Sequence, residues 1–336
     1  MVRLRRVSPD SPGWTRRRRG AGFVYLDEGA RPLGAAEVAH IKALAIPPAW
    51  TDVWICPRPN GHLQAVGTDD AGRRQYLYHP VWREERDKAK HARVLVFATR
   101  LPRARAVVAE HLALDGLSRE RVLATAFRLL DLGFFRVGGE EYAEANGSFG
   151  LATIRKEHVR VVGEEIIFEY PAKSGQQRLV GVADEAVRDA VLALRRRRGD
   201  GELLAHRESG RWRDVSSDDI NGYLRQVVGG TVSAKDFRTW HGTVLAAVAL
   251  AERADEADSS RTRRTRAVRQ AMTEVAEYLG NTPAVTRRSY VDPRLVDLFD
   301  TGATIAPTLD RLAAADVPRD VARHRIERAV LRLLRS

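Results

Sequence analysis

A single cysteine, Cys56, occurs in the whole chain. That excludes an intramolecular disulfide and any zinc or iron–sulfur site built on cysteine. The nine histidines are scattered, and no two stand four residues apart as a helical metal pair would. The longest wholly apolar stretch, residues 244–251, is too short to cross a bilayer. The N-terminus is basic but carries no apolar stretch of the kind that directs secretion. There is no Walker loop, no GxGxxG opening a helix, no HExxH and no GxSxG. A soluble, cytoplasmic protein of a reducing compartment is expected, without a bound nucleotide, metal or other cofactor.

What the chain has in excess is positive charge. Lys and Arg number 56 against 44 Asp and Glu, a net +12. Such a surface attracts polyanions, nucleic acid first. The excess is shared, with +5 over residues 1–86 and +7 over the remainder. At 336 residues, 44% of them hydrophobic, the chain can build about two domains with their own cores.

The first third reads as β structure. Residues 23–26, 54–56, 63–66 and 76–78 have strand character and are separated by turn signals. One helix is expected near residues 35–45, residues 1–15 read as a loose arm, and the run Arg16–Arg19 reads as a solvated face or an anion-binding one. From about residue 87 the pattern is helical. Ser118 is a candidate cap for a helix with Val122, Ala126, Phe127 and Leu130 on one face, ending at Gly133. Strands are expected at 151–154, 166–170 and 178–182, the last two joined by a turn at 171–175. Helices are expected at 184–198, 220–227, 239–251, 267–279, 283–290 and from 309 to the end. The fold class is therefore α+β: a small mainly β N-terminal domain, residues 1–86, and a larger mainly α domain, residues 87–336. Two basic lobes of this kind can grip one anionic ligand as a clamp.

Four segments carry unusual chemistry at loops or helix ends. Arg136 sits among Phe134, Phe135 and Val137 with Tyr142 six residues on, which places a guanidinium either at the surface or in a cleft facing phosphate. Lys173 stands at a hairpin tip, as an ordinary turn lysine or as a proton donor delivered into a groove. Lys235 and Arg238 open a helix whose Phe237 and Trp240 suit a core, so that Arg238 lies on another face, near a helix N-terminus. Gly280 ends one helix and Thr282-Pro283 begins the next, with Asn281 between them and Tyr290 near the end of the second. Two arginines, a lysine, an asparagine and a tyrosine suit phosphoryl transfer to a tyrosine hydroxyl.

These residues carry a resemblance. The chain resembles the poxvirus-like type IB DNA topoisomerases, in particular their bacterial members, along nearly its whole length. The matching segments are Gly20-Ala-Gly-Phe-Val-Tyr25, Ile46-Pro-Pro-Ala-Trp50, Gly72-Arg-Arg-Gln-Tyr-Leu-Tyr78, Phe135-Arg-Val-Gly138 with Tyr142, Gly147-Ser-Phe-Gly-Leu151, Lys173-Ser-Gly175, Lys235-Asp-Phe-Arg238 and Gly280-Asn-Thr-Pro283 with Tyr290. The resemblance implies the catalytic fold of type IB topoisomerases and tyrosine recombinases, forming a C-shaped clamp, in a monomer acting on double-stranded DNA at the nucleoid. It implies a 3′-phosphotyrosyl intermediate at Tyr290, with Arg136 and Arg238 on the nonbridging oxygens and Lys173 as the acid toward the 5′ oxygen. Arg73, Arg74, Gln75, Tyr76, Tyr78, Tyr142 and Lys235 are the implied DNA contacts. Asn281 departs from the poxvirus pattern, which has histidine there; an amide can donate a hydrogen bond but cannot shuttle a proton.

Two other readings fit parts of the sequence. A tyrosine recombinase shares a similar catalytic set, but places histidine where Lys235 stands and has a helical arm domain. A non-catalytic DNA-binding protein accounts for the charge, but not for five catalytic-type residues in register.

Overall fold

The structure, a computed structural model, describes residues 3–139, 143, 147–256 and 260–336. It divides into two compact units, Met1–Ala92 and Arg93–Ser336. The expectation of a small β unit followed by a larger, mainly helical one is borne out.

The first unit is built on five antiparallel strands: β1 (Trp14–Arg19), β2 (Gly22–Leu26), β3 (Thr51–Ile55), β4 (Leu63–Thr68) and β5 (Arg74–Tyr78). They are ordered β2-β1-β3-β4-β5. Helix α1 (Ala35–Ala43) contributes Ile41 to a core with Ile46, Val53, Ile55 and Ala65. Strand β1 corrects the sequence reading, because it contains the arginine run. Arg16 is not a solvated residue. Its guanidinium donates to Pro47 O at 2.6 Å and Trp50 O at 2.7 Å, and lies 4.2 Å from the Phe23 ring centroid. Arg17, Arg18 and Arg19 remain exposed. The charged heads hide a strand because an arginine stem can pack while its head finds carbonyls. Nor are residues 3–13 wholly loose: Arg5 N donates to Asn60 O, and His62 N to Arg5 O, both at 2.9 Å.

Helix α2 (Pro80–Leu112) spans the boundary between the units in sequence and continues through Pro102. A proline inside a helix removes one hydrogen bond and costs about 3 kcal/mol. The buried stripe of Val94, Phe97, Ala98, Leu101, Ala104, Val108 and Leu112 offsets that by burial. In α3 (Arg119–Gly133), Ser118 caps the start as expected, accepting from Arg121 N. The end differs from expectation. Gly133 is still helical, and the left-handed residue is Phe134, at φ 55°. Gly133 is required for another reason: a Cβ there would lie 2.2 Å from the Phe135 ring.

A three-stranded antiparallel sheet follows, β6 (Val159–Val162), β7 (Glu165–Pro171) and β8 (Gln177–Ala183), then α4 (Glu185–Arg195) and the hairpin of β9 (Ala205–Glu208) and β10 (Arg211–Asp214). Residues 151–153, read as a strand, form a 3-10 turn instead. Their apolar run reflects burial rather than pleating, with the Leu151 and Ala152 amides bonded to Arg136 O and Val137 O at 2.8 and 2.7 Å. The rest is helical: α5 (Ser217–Val228), α6 (Ala234–Ala251), α7 (Arg261–Leu279), α8 (Pro283–Ser289), α9 (Arg294–Asp300), α10 (Ala306–Ala313) and α11 (Arg319–Leu333). The single C-terminal helix expected from 309 onward is broken before α11 by Pro318. The core of this unit is centred on Phe127 and Phe237, whose rings meet edge to face at 5.1 Å, with Phe97 at 4.8 Å from Phe237. Among the described residues, no helix is long and apolar enough to cross a membrane.

Candidate active site

The C-terminus of α7 organises the site. Gly280 adopts φ 60°, and the chain closes with Gly280 N donating to Glu277 O at 3.1 Å and Asn281 N to Ala276 O at 3.0 Å. Closure in this way leaves the next three carbonyls facing outward. Each is met by a different arginine. Arg178 donates to Tyr278 O at 2.8 Å, Arg238 to Leu279 O at 2.7 Å and Arg136 to Gly280 O at 2.8 Å. The negative end of a helix favours cations, so one helix terminus gathers three guanidiniums from three distant parts of the chain.

Arg136 reaches this point because of the turn after α3. The left-handed Phe134 sends Phe135 into the core, and the next side chain points back toward α7. A close approach holds the segment: a Cβ on Gly150 would lie 2.4 Å from the Gly138 Cα. Arg136 also donates to Asn281 Oδ1 at 2.7 Å, so Asn281 orients a guanidinium. The Nδ2 of Asn281 is buried and has no hydrogen-bond partner among the described residues. A buried donor left unpaired costs about 1–3 kcal/mol and calls for an acceptor.

Arg238 lies on α6, whose start is capped by Ser233 and Asp236. Like Phe237 and Trp240 it is buried, with only 3% of its surface exposed. One Nη donates to Phe134 O and the other to Leu279 O, while Nε has no hydrogen-bond partner among the described residues. Burial, and then the neighbouring charge of Arg136, push the guanidinium down to about 10. It remains a cation at neutral pH, with donors to spare.

Tyr290 follows α8, which starts as expected with Thr282 accepting from Val285 N and Pro283 in the first turn. The Tyr290 ring centroid lies 5.1 Å from the Arg238 guanidinium carbon. Burial opposes ionisation of the phenol, but the charges of Arg238, Arg136 and Lys235 outweigh it and bring the pKa below its ordinary value. Gly242 makes the approach possible, since a Cβ there would stand 2.9 Å from Tyr290 O.

Arg136, Lys173, Lys235, Arg238 and Tyr290 line one cavity of about 350 Å³. Lys173 comes from the turn between β7 and β8, and Lys235 from the first turn of α6; both are exposed. Asn281 stands behind Arg136. A larger cavity of about 860 Å³ is also rich in arginine, but its Arg105, Arg128 and Arg323 are paired with Asp131, Asp184 and Glu327. The smaller cavity has cations facing a phenol of enhanced acidity. It can bind an anion and present an oxygen nucleophile to it.

In the first unit, Arg74, Tyr76 and Tyr78 share the exposed face of edge strand β5, with the two tyrosine rings stacked at 6.2 Å. Gln75 points to the other side and donates to Asp69 Oδ2 at 2.8 Å. Arg73 is paired with Asp69 at 2.8 Å, and hydrogen bonds from Arg73 lower that carboxyl to about 2. Tyr142 lies outside the described residues. The sequence reading missed Arg178 and Gly242. A glycine inside an otherwise apolar helix was the available signal for the latter; nothing local marked the former.

Comparison with known proteins places the chain in a family. The family model for the catalytic core of eukaryotic DNA topoisomerase I matches residues 79–301, and that for the N-terminal domain of bacterial DNA topoisomerase IB matches residues 22–69. DNA topoisomerase 1B of Acanthamoeba polyphaga mimivirus is 28% identical over 293 residues, covering 85% of this chain and 87% of the viral protein. DNA topoisomerase 1B of vaccinia virus (strain Copenhagen) is 21% identical over 235 residues, covering 69% and 71% of the two chains. Since the core match alone takes in well over half of the residues, and the second match falls on the β unit before it, the chain belongs to the type IB DNA topoisomerases.

Proposed function

We propose that the protein relaxes supercoiled duplex DNA by cutting one strand through a 3′-phosphotyrosyl link at Tyr290 and resealing it, without ATP or a metal ion. The observation that carries this reading is the acidified Tyr290 phenol sharing one cavity with Arg136, Arg238, Lys173 and Lys235. The phenol oxygen forms a bond to phosphorus as the bond from phosphorus to the 5′ oxygen breaks. The phenol proton passes to solvent, and Lys173 supplies one to the departing 5′ oxygen. One phosphodiester replaces another, so the exchange is close to isoenergetic and reverses without an energy source. Supercoil strain drives rotation while the strand is open. Arg136 and Arg238 hold the nonbridging oxygens, and the buried Nε of Arg238 and Nδ2 of Asn281, without a partner among the described residues, are donors in reserve for the same charge.

The N-terminal unit is proposed to bind the duplex through Arg73, Arg74, Gln75, Tyr76 and Tyr78, and the catalytic unit through Lys235 and Tyr142. Arg73 and Gln75 act through Asp69 as supports, while Arg74, Tyr76 and Tyr78 are free to touch the duplex. The enzyme is proposed to work as a monomer on nucleoid DNA in the cytoplasm. Relaxation of a supercoiled plasmid with EDTA present and ATP absent tests the reading; a need for ATP or for a divalent metal ion contradicts it.

Two residues give graded tests. Asn281→Ala lowers single-turnover cleavage by about 10²–10³-fold, the usual loss for a transition-state donor. An unchanged rate would reduce Asn281 to a helix-junction residue. Lys173→Ala is slow on an ordinary phosphodiester and recovers on a 5′-bridging phosphorothiolate, because a thiolate leaves without a proton. Failure to recover removes Lys173 from the acid role.

A further inference from the structure

The end of α7 holds a guanidinium that the proposed reaction does not use. Arg178 lies on β8, in register with Tyr170 across the hairpin. Between those two residues the chain makes the turn that carries Lys173. Ala172 N donates to Gln176 O at 2.8 Å, and Gly175 N to Ala172 O at 3.0 Å. These bonds fix the shape of the turn, not its place relative to Tyr290.

Each strand of the hairpin is tied to a neighbour beside the turn. On β7, Pro171 O accepts from Phe149 N at 2.8 Å, which binds it to the segment beside Arg136. On β8, Arg178 donates to Tyr278 O at 2.8 Å and to Glu277 O at 3.3 Å. Gly280 leaves room for this, since a Cβ there would lie 2.7 Å from an Arg178 Nη. A guanidinium can reach two successive carbonyls at a helix end, whereas a lysine ammonium offers a single point of charge. Arg178 is half-buried and is not among the residues lining the Tyr290 cavity.

We propose that Arg178 is a positioning residue for strand cleavage: it latches the Lys173 hairpin to the same helix end that holds Arg136 and Arg238, and so sets the ammonium of Lys173 at the leaving oxygen. The inference rests on the proton-donor role of Lys173 given above.

Single-turnover cleavage tests it in wild type, Lys173→Ala, Arg178→Gln and Arg178→Lys. Each acts on two duplexes that differ only in an ordinary or a 5′-bridging phosphorothiolate bond at a mapped cleavage site. Arg178→Gln slows the ordinary duplex by about 10²-fold, the scale of a 1 Å misplacement. It slows the thiolate duplex far less, and its affinity for both stays near wild type. Arg178→Lys falls between the two, and carries the same comparison if the glutamine variant does not fold. Equal slowing on both duplexes, with Lys173→Ala rescued, overturns the latch and leaves the role of Lys173 standing. Undiminished cleavage by both Arg178 variants overturns it as well. Absence of rescue in Lys173→Ala overturns the proton-donor reading and the latch together.

Discussion

Tyr290→Phe leaves no covalent adduct with DNA while binding duplex about as well as wild type. The substitution removes one oxygen and nothing else. The ring that packs beside Gly242 and over the Arg238 guanidinium stays in place, so the cavity and its cations persist. Strand cleavage nevertheless falls by at least about 10⁴-fold, on the scale seen when a catalytic nucleophile is removed. Duplex affinity rests on phosphate contacts made by many cations, to which a neutral phenol adds little. Detergent-trapped protein–DNA complexes measure the first effect and an equilibrium filter assay the second. An adduct formed by the phenylalanine variant would place the nucleophile elsewhere.

The second large effect concerns stability. Asp131, in the last turn of α3, is 2% exposed. Its carboxylate accepts from Arg105 at 2.9 Å and from Arg323 at 2.5 Å, and lies 3.4 Å from His241 Nε2. Glu327 on α11 accepts from Arg105 at 2.6 and 2.7 Å. The network joins the C-terminal helix to α3 and α6, the elements that lead to Arg136 and carry Arg238. Asp131→Ala leaves two guanidiniums facing one carboxylate, and is expected to cost about 3–5 kcal/mol in urea unfolding. A loss below 1 kcal/mol, on the scale of an exposed pair, would contradict that reading.

The same network sets an acid limit. Burial opposes charge on Asp131 and Glu327, but Arg323 and Arg105 outweigh it and hold both carboxyls below their usual range. Their contribution is therefore complete above the unfolded carboxylate values, about pH 4, and is lost as pH falls through the lower folded ones. Burial also lowers His241, so its neutral form belongs to the folded state. Its contribution is complete above about pH 6.5 and is lost as pH falls below that. Stability of the wild type declines in two stages on acidification. Asp131→Ala loses most of the carboxylate stage, and its curve is flatter below about pH 4.

The residues of the candidate site were legible because each sits in a short segment with its own chemical signature. Thr282-Pro283 reads as a helix start, and Gly280 as a helix end, from local backbone preference alone. What could not be read was why distant segments meet. The convergence of Arg136, Arg178 and Arg238 depends on three carbonyls at one helix end, and carbonyls are the same in every residue. Strand β1 was hidden because its arginines look like a solvated run until Arg16 is seen reaching Pro47 and Trp50. Residues 151–153 erred in the other direction: an apolar run marks burial, and burial alone does not choose between strand and turn. Gly242 shows the same limit, since it is required by a carbonyl from a distant segment rather than by its own backbone angles.

The most direct test of the central claim is the chemistry of the bond itself. Wild-type protein is mixed with duplex, denatured during turnover and digested, and the nucleotide-bearing peptide is sequenced by mass spectrometry. The account predicts a phosphodiester between the Tyr290 oxygen and a 3′ end, with a free 5′-hydroxyl on the other fragment. A link to any other residue, or a link through the 5′ end, would contradict it.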